Sequence, residues 1–183
     1  MPTVLVTDST FESLDIERPI LEPLGCVIEH RQTRSSADLL GLGVLSQADA
    51  VITQFARLDR AAIEAMTLSR VIVRYGIGVD NVDLDAAREQ GIPVCNVPDY
   101  CIDEVADHTL AFILGMTRQV VRHCDHLRNG QWGLAIPIDG FRTLRNMTLG
   151  VVGCGRIGRE VIRRLVPFKC RILVLDPVLS RVE

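Results

Sequence analysis

One run constrains this chain more than any other: Leu149-Gly150-Val151-Val152-Gly153-Cys154-Gly155-Arg156-Ile157-Gly158-Arg159-Glu160. It reads as a buried strand, a Gly-x-Gly-x-x-Gly turn and the first turn of a helix. A second apolar strand, Arg171 to Leu175, follows and ends on Asp176. An acidic residue about 20 positions beyond the glycines completes a dinucleotide-binding fingerprint in its strand–turn–helix–strand setting. Each glycine has its own task. Gly153 permits the tight turn, Gly155 lets the backbone approach a pyrophosphate, and Gly158 lets the helix lie close to the strand. The helix start offers unpaired N–H groups and partial positive charge to phosphates. Asp176 would accept hydrogen bonds from the adenosine ribose and repel a 2′-phosphate, which favours NAD over NADP.

The rest of the composition narrows the setting. With 183 residues, 48% of them hydrophobic, the chain has material for one domain or two small ones. It has no basic block, and aromatic residues make up only 4%, which argues against a nucleic-acid surface. No apolar run approaches the roughly 20 residues that span a bilayer. The start runs directly into Val4-Leu5-Val6, with no basic segment or cleavage site before it. None of the six cysteines forms a C-x-x-C pair. Cys26, Cys95, Cys154 and Cys170 adjoin apolar segments and are expected as buried thiols, pointing to a reducing cytoplasm. His123-Cys124-Asp125-His126 lies on a polar helical stretch with no second ligand cluster, so it reads as solvated surface rather than a metal site.

Strands and helices alternate through the first half. The pattern predicts strands at Thr3–Thr7, Cys26–Glu29, Ala50–Thr53, Arg70–Arg74 and Ile92–Asn96. Between them it predicts a helix starting after Asp8-Ser9-Thr10 and ending near Leu24-Gly25. Further helices are expected at Ala37–Leu45, at Asp59–Met66 and at Asp83–Gln90, the last ended by Gly91. Alternation of this kind implies an α/β fold with a parallel sheet covered on both faces, a flavodoxin-like unit. Val97-Pro98-Asp99 is the natural boundary, which divides the chain into residues 1–97 and 98–183. A single long helix is expected from Ile102 to Leu127, then an irregular arm from Gln131 to Asn146 containing Trp132. The start of a Rossmann nucleotide domain follows at Thr148.

The chain resembles the D-isomer-specific 2-hydroxyacid dehydrogenases. Four blocks carry the likeness: Val73 to Asp83 (VRYGIGVDNVD), Gly91 to Pro98 (GIPVCNVP), Glu104 to Thr109 (EVADHT), and the glycine fingerprint through Asp176-Pro177. Within the family it is most similar to the phosphoglycerate dehydrogenases and the C-terminal-binding-protein corepressors. The resemblance implies NAD-dependent interconversion of small D-2-hydroxy and 2-keto acids in a two-domain homodimer. The active site would lie between a substrate domain and an NAD domain, with the arm around Trp132 reaching the partner. It does not imply direct contact with nucleic acid or membrane.

Gly76-Ile77-Gly78 follows the fourth strand, at the end of the sheet where open parallel sheets place ligands. The residues alone fit equally a carboxylate-binding loop and a tight turn that needs glycine. The resemblance assigns Tyr75, Gly76, Ile77 and Gly78 to substrate. It assigns Ile77, Thr109, Gly153, Gly155, Arg156, Ile157, Gly158 and Asp176 to the cofactor. Asp80, Asn81 and Asp83 read instead as loop ties and a helix cap. Asp107 stands where the family usually has Glu, near the expected cleft. His108, His123 and His126 do not match the family's catalytic histidine. That histidine, its Glu partner and the keto-polarising Arg would lie, in family order, beyond Asp176, and no residue here takes those roles. The expectation is therefore of an NAD-dependent D-2-hydroxyacid oxidoreductase by family, whose chain here lacks the catalytic Arg, Glu and His, with an NAD-responsive binding protein of corepressor type or a non-catalytic, truncated family member as the alternatives. The stretch Thr53-Gln54-Phe55-Ala56-Arg57 holds one Arg and lacks the basic phosphate-binding loop of the phosphoglycerate branch. Arg31 and Arg34 read as solvated surface.

Overall fold

A computed structural model describes residues 1–179, which divide into two compact units, Met1–Tyr100 and a second beginning at Cys101. The division falls three residues past the expected Val97 boundary.

The first unit is a parallel five-stranded sheet: β1 (Thr3–Val6), β2 (Val27–His30), β3 (Ala50–Thr53), β4 (Ile72–Arg74) and β5 (Val94–Cys95), in the order β2-β1-β3-β4-β5. This is the flavodoxin-like order, and the chain reverses direction across the sheet between β1 and β3. Short apolar runs such as Val4-Leu5-Val6 form the central strands because both of their faces are covered; Leu5, Val51 and Ile72 are fully buried. The helices α1 (Arg18–Leu21), α2 (Ser36–Leu42), α3 (Arg60–Glu64) and α4 (Leu84–Glu89) connect them. Three start on side-chain caps. The Ser35 hydroxyl accepts from Asp38 N–H, while Asp59 and Asp83 accept from Ala62 and Ala86 N–H. The core gathers Leu39, Leu45, Leu58, Ile63 and Met66 around the sheet.

The predicted first helix is corrected. Residues 8–17 form no helix, and α1 begins only at Arg18. Asp8, read from sequence as a helix start, is buried and spends its carboxylate on the loop after β3, accepting from Gln54 N–H (3.0 Å) and Phe55 N–H (2.7 Å). Ser9 and Thr10 N–H groups are taken by the side chains of Gln32 and Gln54. With these groups tied to other loops, no cap remains for a helix.

The second unit opens with α5 (Ile102–Thr117) and α6 (Val120–Arg128). The expected single helix is thus two, broken at Gln119, which adopts φ 55°. Short 3-10 turns mark the arm, and Trp132 is exposed. Then come β6 (Thr148–Val152), α7 (Arg156–Leu165) and β7 (Arg171–Leu175), with β6 and β7 paired in parallel over five residues. Ala106, Val161 and Leu165 bury one face of this pair beneath α5 and α7. Arg164 on α7 joins the helices by pairing with Asp103 and Asp107 of α5, both at 2.6 Å. The expectation of buried thiols is also corrected: Cys95 is exposed and Cys26, Cys154 and Cys170 are half-buried. Cys95 stands on β5, an edge strand covered on one side only.

Candidate functional site

The two groups of candidate residues belong to different units. In the second unit, β6 ends at Val152 and Gly153 turns the chain at φ 92°, a conformation that favours glycine. Its N–H continues the ladder to Leu175 O (2.8 Å). Gly155 is the half-helical residue at the start of α7 and, having no side chain, supplies no cap to the N–H groups of the first turn. A Cβ on Gly155 would meet nothing within 4 Å. A Cβ on Gly158 would overlap the carbonyl oxygen of Gly153. The first glycine therefore bends the chain, the second leaves an open cradle and the third sets the distance from helix to strand.

Asp176 follows β7 and closes this turn. Its Oδ2 accepts from Cys154 N–H (2.6 Å) and its Oδ1 from Val178 N–H (2.8 Å). The backbone donors, Cys154 first and then Val178, hold its carboxyl below the usual carboxylate range. A carboxylate has about four lone-pair sites, more than these backbone donors occupy with Leu179 N–H included, which leaves room for a hydroxyl donor. Arg159 donates from Nε to Cys154 O (2.9 Å), which fixes the turn from the helix side. Arg156 and Ile157 begin α7 beside Gly155. These residues fit a dinucleotide: an open glycine, a helix start without a side-chain cap and an ionised acid at the next strand's end. Thr109 sits apart on α5, half-buried, with its hydroxyl donated to Val105 O (2.7 Å).

In the first unit, β4 runs into Tyr75-Gly76-Ile77-Gly78. Gly76 is buried at φ 153°, and a Cβ there would overlap the guanidinium of Arg74. Arg74 is the residue that the sequence reading passed over. Its Nε is buried without a hydrogen-bond partner, and its Cζ lies 5.9 Å from the Phe55 ring centroid. A cation ending a strand immediately before a glycine loop was the signal available for it. Tyr75 donates its phenol to Glu17 Oε1 (2.7 Å) and meets the edge of Phe11 at 5.8 Å. Burial, then the bond to Glu17, raises the Tyr75 phenol well above the usual tyrosine range. Asn96 Nδ2 donates to Ile77 O (2.7 Å), and Val97 N–H donates to Gly76 O (3.0 Å). Asn81 donates to Ala56 O (2.9 Å), and Asp83 caps α4, as loop ties and a cap should.

The remaining polar candidates stay structural. Asp107 pairs with Arg164. His108 meets the edge of Phe112, and His123 stacks on Phe141 while its Nδ1 accepts from Ala135 N–H (3.3 Å). Among the described residues, no carboxylate hydrogen-bonds to His108, His123 or His126, so none has the orienting partner an acid–base histidine needs. No group of three potential metal ligands gathers among them either, and no helix is long and apolar enough to cross a membrane.

Comparison with known proteins decides the family. The sequence profile of the D-isomer specific 2-hydroxyacid dehydrogenase catalytic domain matches residues 4–168. This chain belongs to that family. It is 36% identical over 135 residues to a glyoxylate reductase of Pyrococcus furiosus, covering 70% of this chain and 40% of that protein. It is 34% identical over 182 residues to a D-3-phosphoglycerate dehydrogenase of Methanocaldococcus jannaschii, covering 99% of this chain and 33% of that protein. The crystal structure of D-lactate dehydrogenase from Aquifex aeolicus, complexed with NAD and lactic acid, superimposes with a TM-score of 0.82 at 26% identity, over 97% of this chain and 52% of that one. The chain thus spans about a third to two fifths of the length of these curated relatives.

Proposed function

We propose that this family member binds NAD at the turn between β6 and α7 and a small 2-hydroxy or 2-keto acid at the loop after β4. It would thereby serve NAD-dependent interconversion of D-2-hydroxy and 2-keto acids. The observation that carries this reading is the pairing of the open Gly155 cradle with the ionised Asp176 at the adjacent strand end. In this reading the N–H groups at the start of α7, with Gly153, Gly155, Arg156, Ile157 and Gly158, receive the pyrophosphate. Asp176 takes the ribose hydroxyls and disfavours a 2′-phosphate. Bound NAD supplies the hydride acceptor. Thr109, in the same unit, completes the cofactor contacts. The Tyr75-Gly76-Ile77-Gly78 backbone holds the substrate carboxylate, with the Arg74 guanidinium beside it as the nearest cation. No side chain here is assigned to keto polarisation or proton transfer.

The homodimer belongs to the same reading. It is supported by the exposed apolar side chains of Phe112, Met116 and Val121 beside a hollow of about 450 Å³, and by the exposed Trp132. A cytoplasmic location is supported by six unpaired cysteines.

Calorimetric titration of the purified chain with NADH and NADPH tests the cofactor reading. We expect saturable binding that prefers NADH, and an Asp176→Ala variant that loses that preference by about tenfold, the worth of one good hydrogen bond to a charged acceptor. Equal affinity for the two cofactors would remove Asp176 from the role.

A further inference from the structure

The loops at the carboxyl ends of β1 and β3 flank the point where the strand order reverses, which is where open parallel sheets seat their ligands. Here each of these loops presents an exposed phenylalanine, Phe11 after β1 at 57% exposure and Phe55 after β3 at 61%. Both rings adjoin the proposed carboxylate loop. Phe11 meets the edge of Tyr75 at 5.8 Å, and Phe55 lies beneath Arg74 at 5.9 Å. Two large apolar rings left in water beside the half-buried Arg74 are a costly arrangement unless something covers them.

Gln54, the amide of the β3 loop, is already committed elsewhere. Gln54 is buried, with its Oε1 accepting from Thr10 N–H (2.6 Å). Asp8 grips the backbone N–H groups of Gln54 and Phe55, so the loop holds a fixed course with Phe55 as its exposed large apolar side chain.

We propose that the acid taken at this site carries an apolar, preferably aromatic, side chain that lies against Phe11 and Phe55 while its carboxylate faces Arg74 and the Gly76–Gly78 backbone. This rests on the carboxylate reading above and adds the substrate class. A flat ring beside Phe55 gains aromatic contact that a methyl group or a phosphoryl group lacks.

Binding to the full chain with NADH present tests it, using phenylpyruvate, pyruvate and 3-phosphohydroxypyruvate as probes and saturation-transfer NMR or calorimetry as readout. Phenylpyruvate is expected to bind at least tenfold more tightly than the other two. Phe55→Ala should erase that advantage by weakening phenylpyruvate; being largely exposed, Phe55 is dispensable to the core. Arg74→Ala should weaken phenylpyruvate and pyruvate alike. Equal affinities for phenylpyruvate and pyruvate, or tighter binding of the phosphorylated acid, would overturn the side-chain assignment and leave the carboxylate loop standing. Failure of every probe to bind, or indifference of all three to Arg74→Ala, would overturn the carboxylate reading and this inference with it.

Discussion

At the residue scale the three fingerprint glycines are not equivalent, and substitution separates them. A methyl group on Gly158 would strike the carbonyl of Gly153, backbone that cannot swing aside. Gly158→Ala is expected to cost about 2–3 kcal/mol, in the range of overpacking, as read by urea unfolding of the second unit. Gly155→Ala meets open space at an ordinary φ of -72°. It should leave stability within about 0.5 kcal/mol while weakening NADH binding, because the methyl group fills the cradle rather than the core. If both variants unfolded the unit equally, Gly155 would be structural. These roles were legible in the sequence because spacing alone fixes them. Arg74 and Asp8 were not, since their meaning depends on which loops arrive beside them after folding. Tyr75 gives a titration to check. Its phenol stays neutral beyond the usual range because burial and Glu17 disfavour the phenolate. The stability it contributes is present below the unfolded tyrosine value near 10 and is lost as pH rises through the higher folded value. In an alkaline absorbance titration, one of the two tyrosines should ionise late, and Glu17→Gln should bring it earlier.

At the scale of elements, the strands were easier to read than the helices. A buried parallel strand is a short apolar run whichever neighbours it meets, so β1 and β3 match their expected ranges closely. Helix extent depends on competition for backbone groups. The loop after β1 lost its helix to Gln32 and Gln54, and the long helix broke at Gln119 although no proline or glycine stands there. Gln119 donates its side-chain amide to Met116 O (2.8 Å), a bond that partly offsets its left-handed backbone. A non-glycine residue in that conformation costs about 1–2 kcal/mol. Glycine relieves this at an unfolded-state penalty of about 0.4–1 kcal/mol. Gln119→Gly is therefore expected to raise stability by about 0.5 kcal/mol, seen as a higher urea midpoint with an unchanged slope. A fall of 1 kcal/mol or more would mean that the Met116 bond, not the backbone, governs the break.

At the scale of the whole molecule, the two units differ in how completely their sheets are covered. In the first, one continuous core runs from Leu5 to Ile92 on the face of the sheet under α2, α3 and α4, with Val4 and Val6 buried on the other face, and none of its buried residues lies beyond Tyr100. In the second, α5 and α7 cover one face of β6 and β7. The other face leaves Val152 at 84% and Leu175 at 68% exposure, with Leu173 beside them. Two strands with one bare apolar face make a surface that invites further pairing. This asymmetry sets an ordering of autonomy. Residues 1–100 expressed alone should unfold in one cooperative urea transition, because every contact of their core is retained. Residues 101–183 alone should bind a hydrophobic dye and self-associate, and the pair Val152→Thr, Leu175→Thr should reduce both without lowering the urea midpoint, since neither side chain reaches the buried cluster of Ala106, Val161 and Leu165. A broad, non-cooperative transition for residues 1–100 would show that the first unit draws stability from the second. In that case the sheet order alone would not account for its folding.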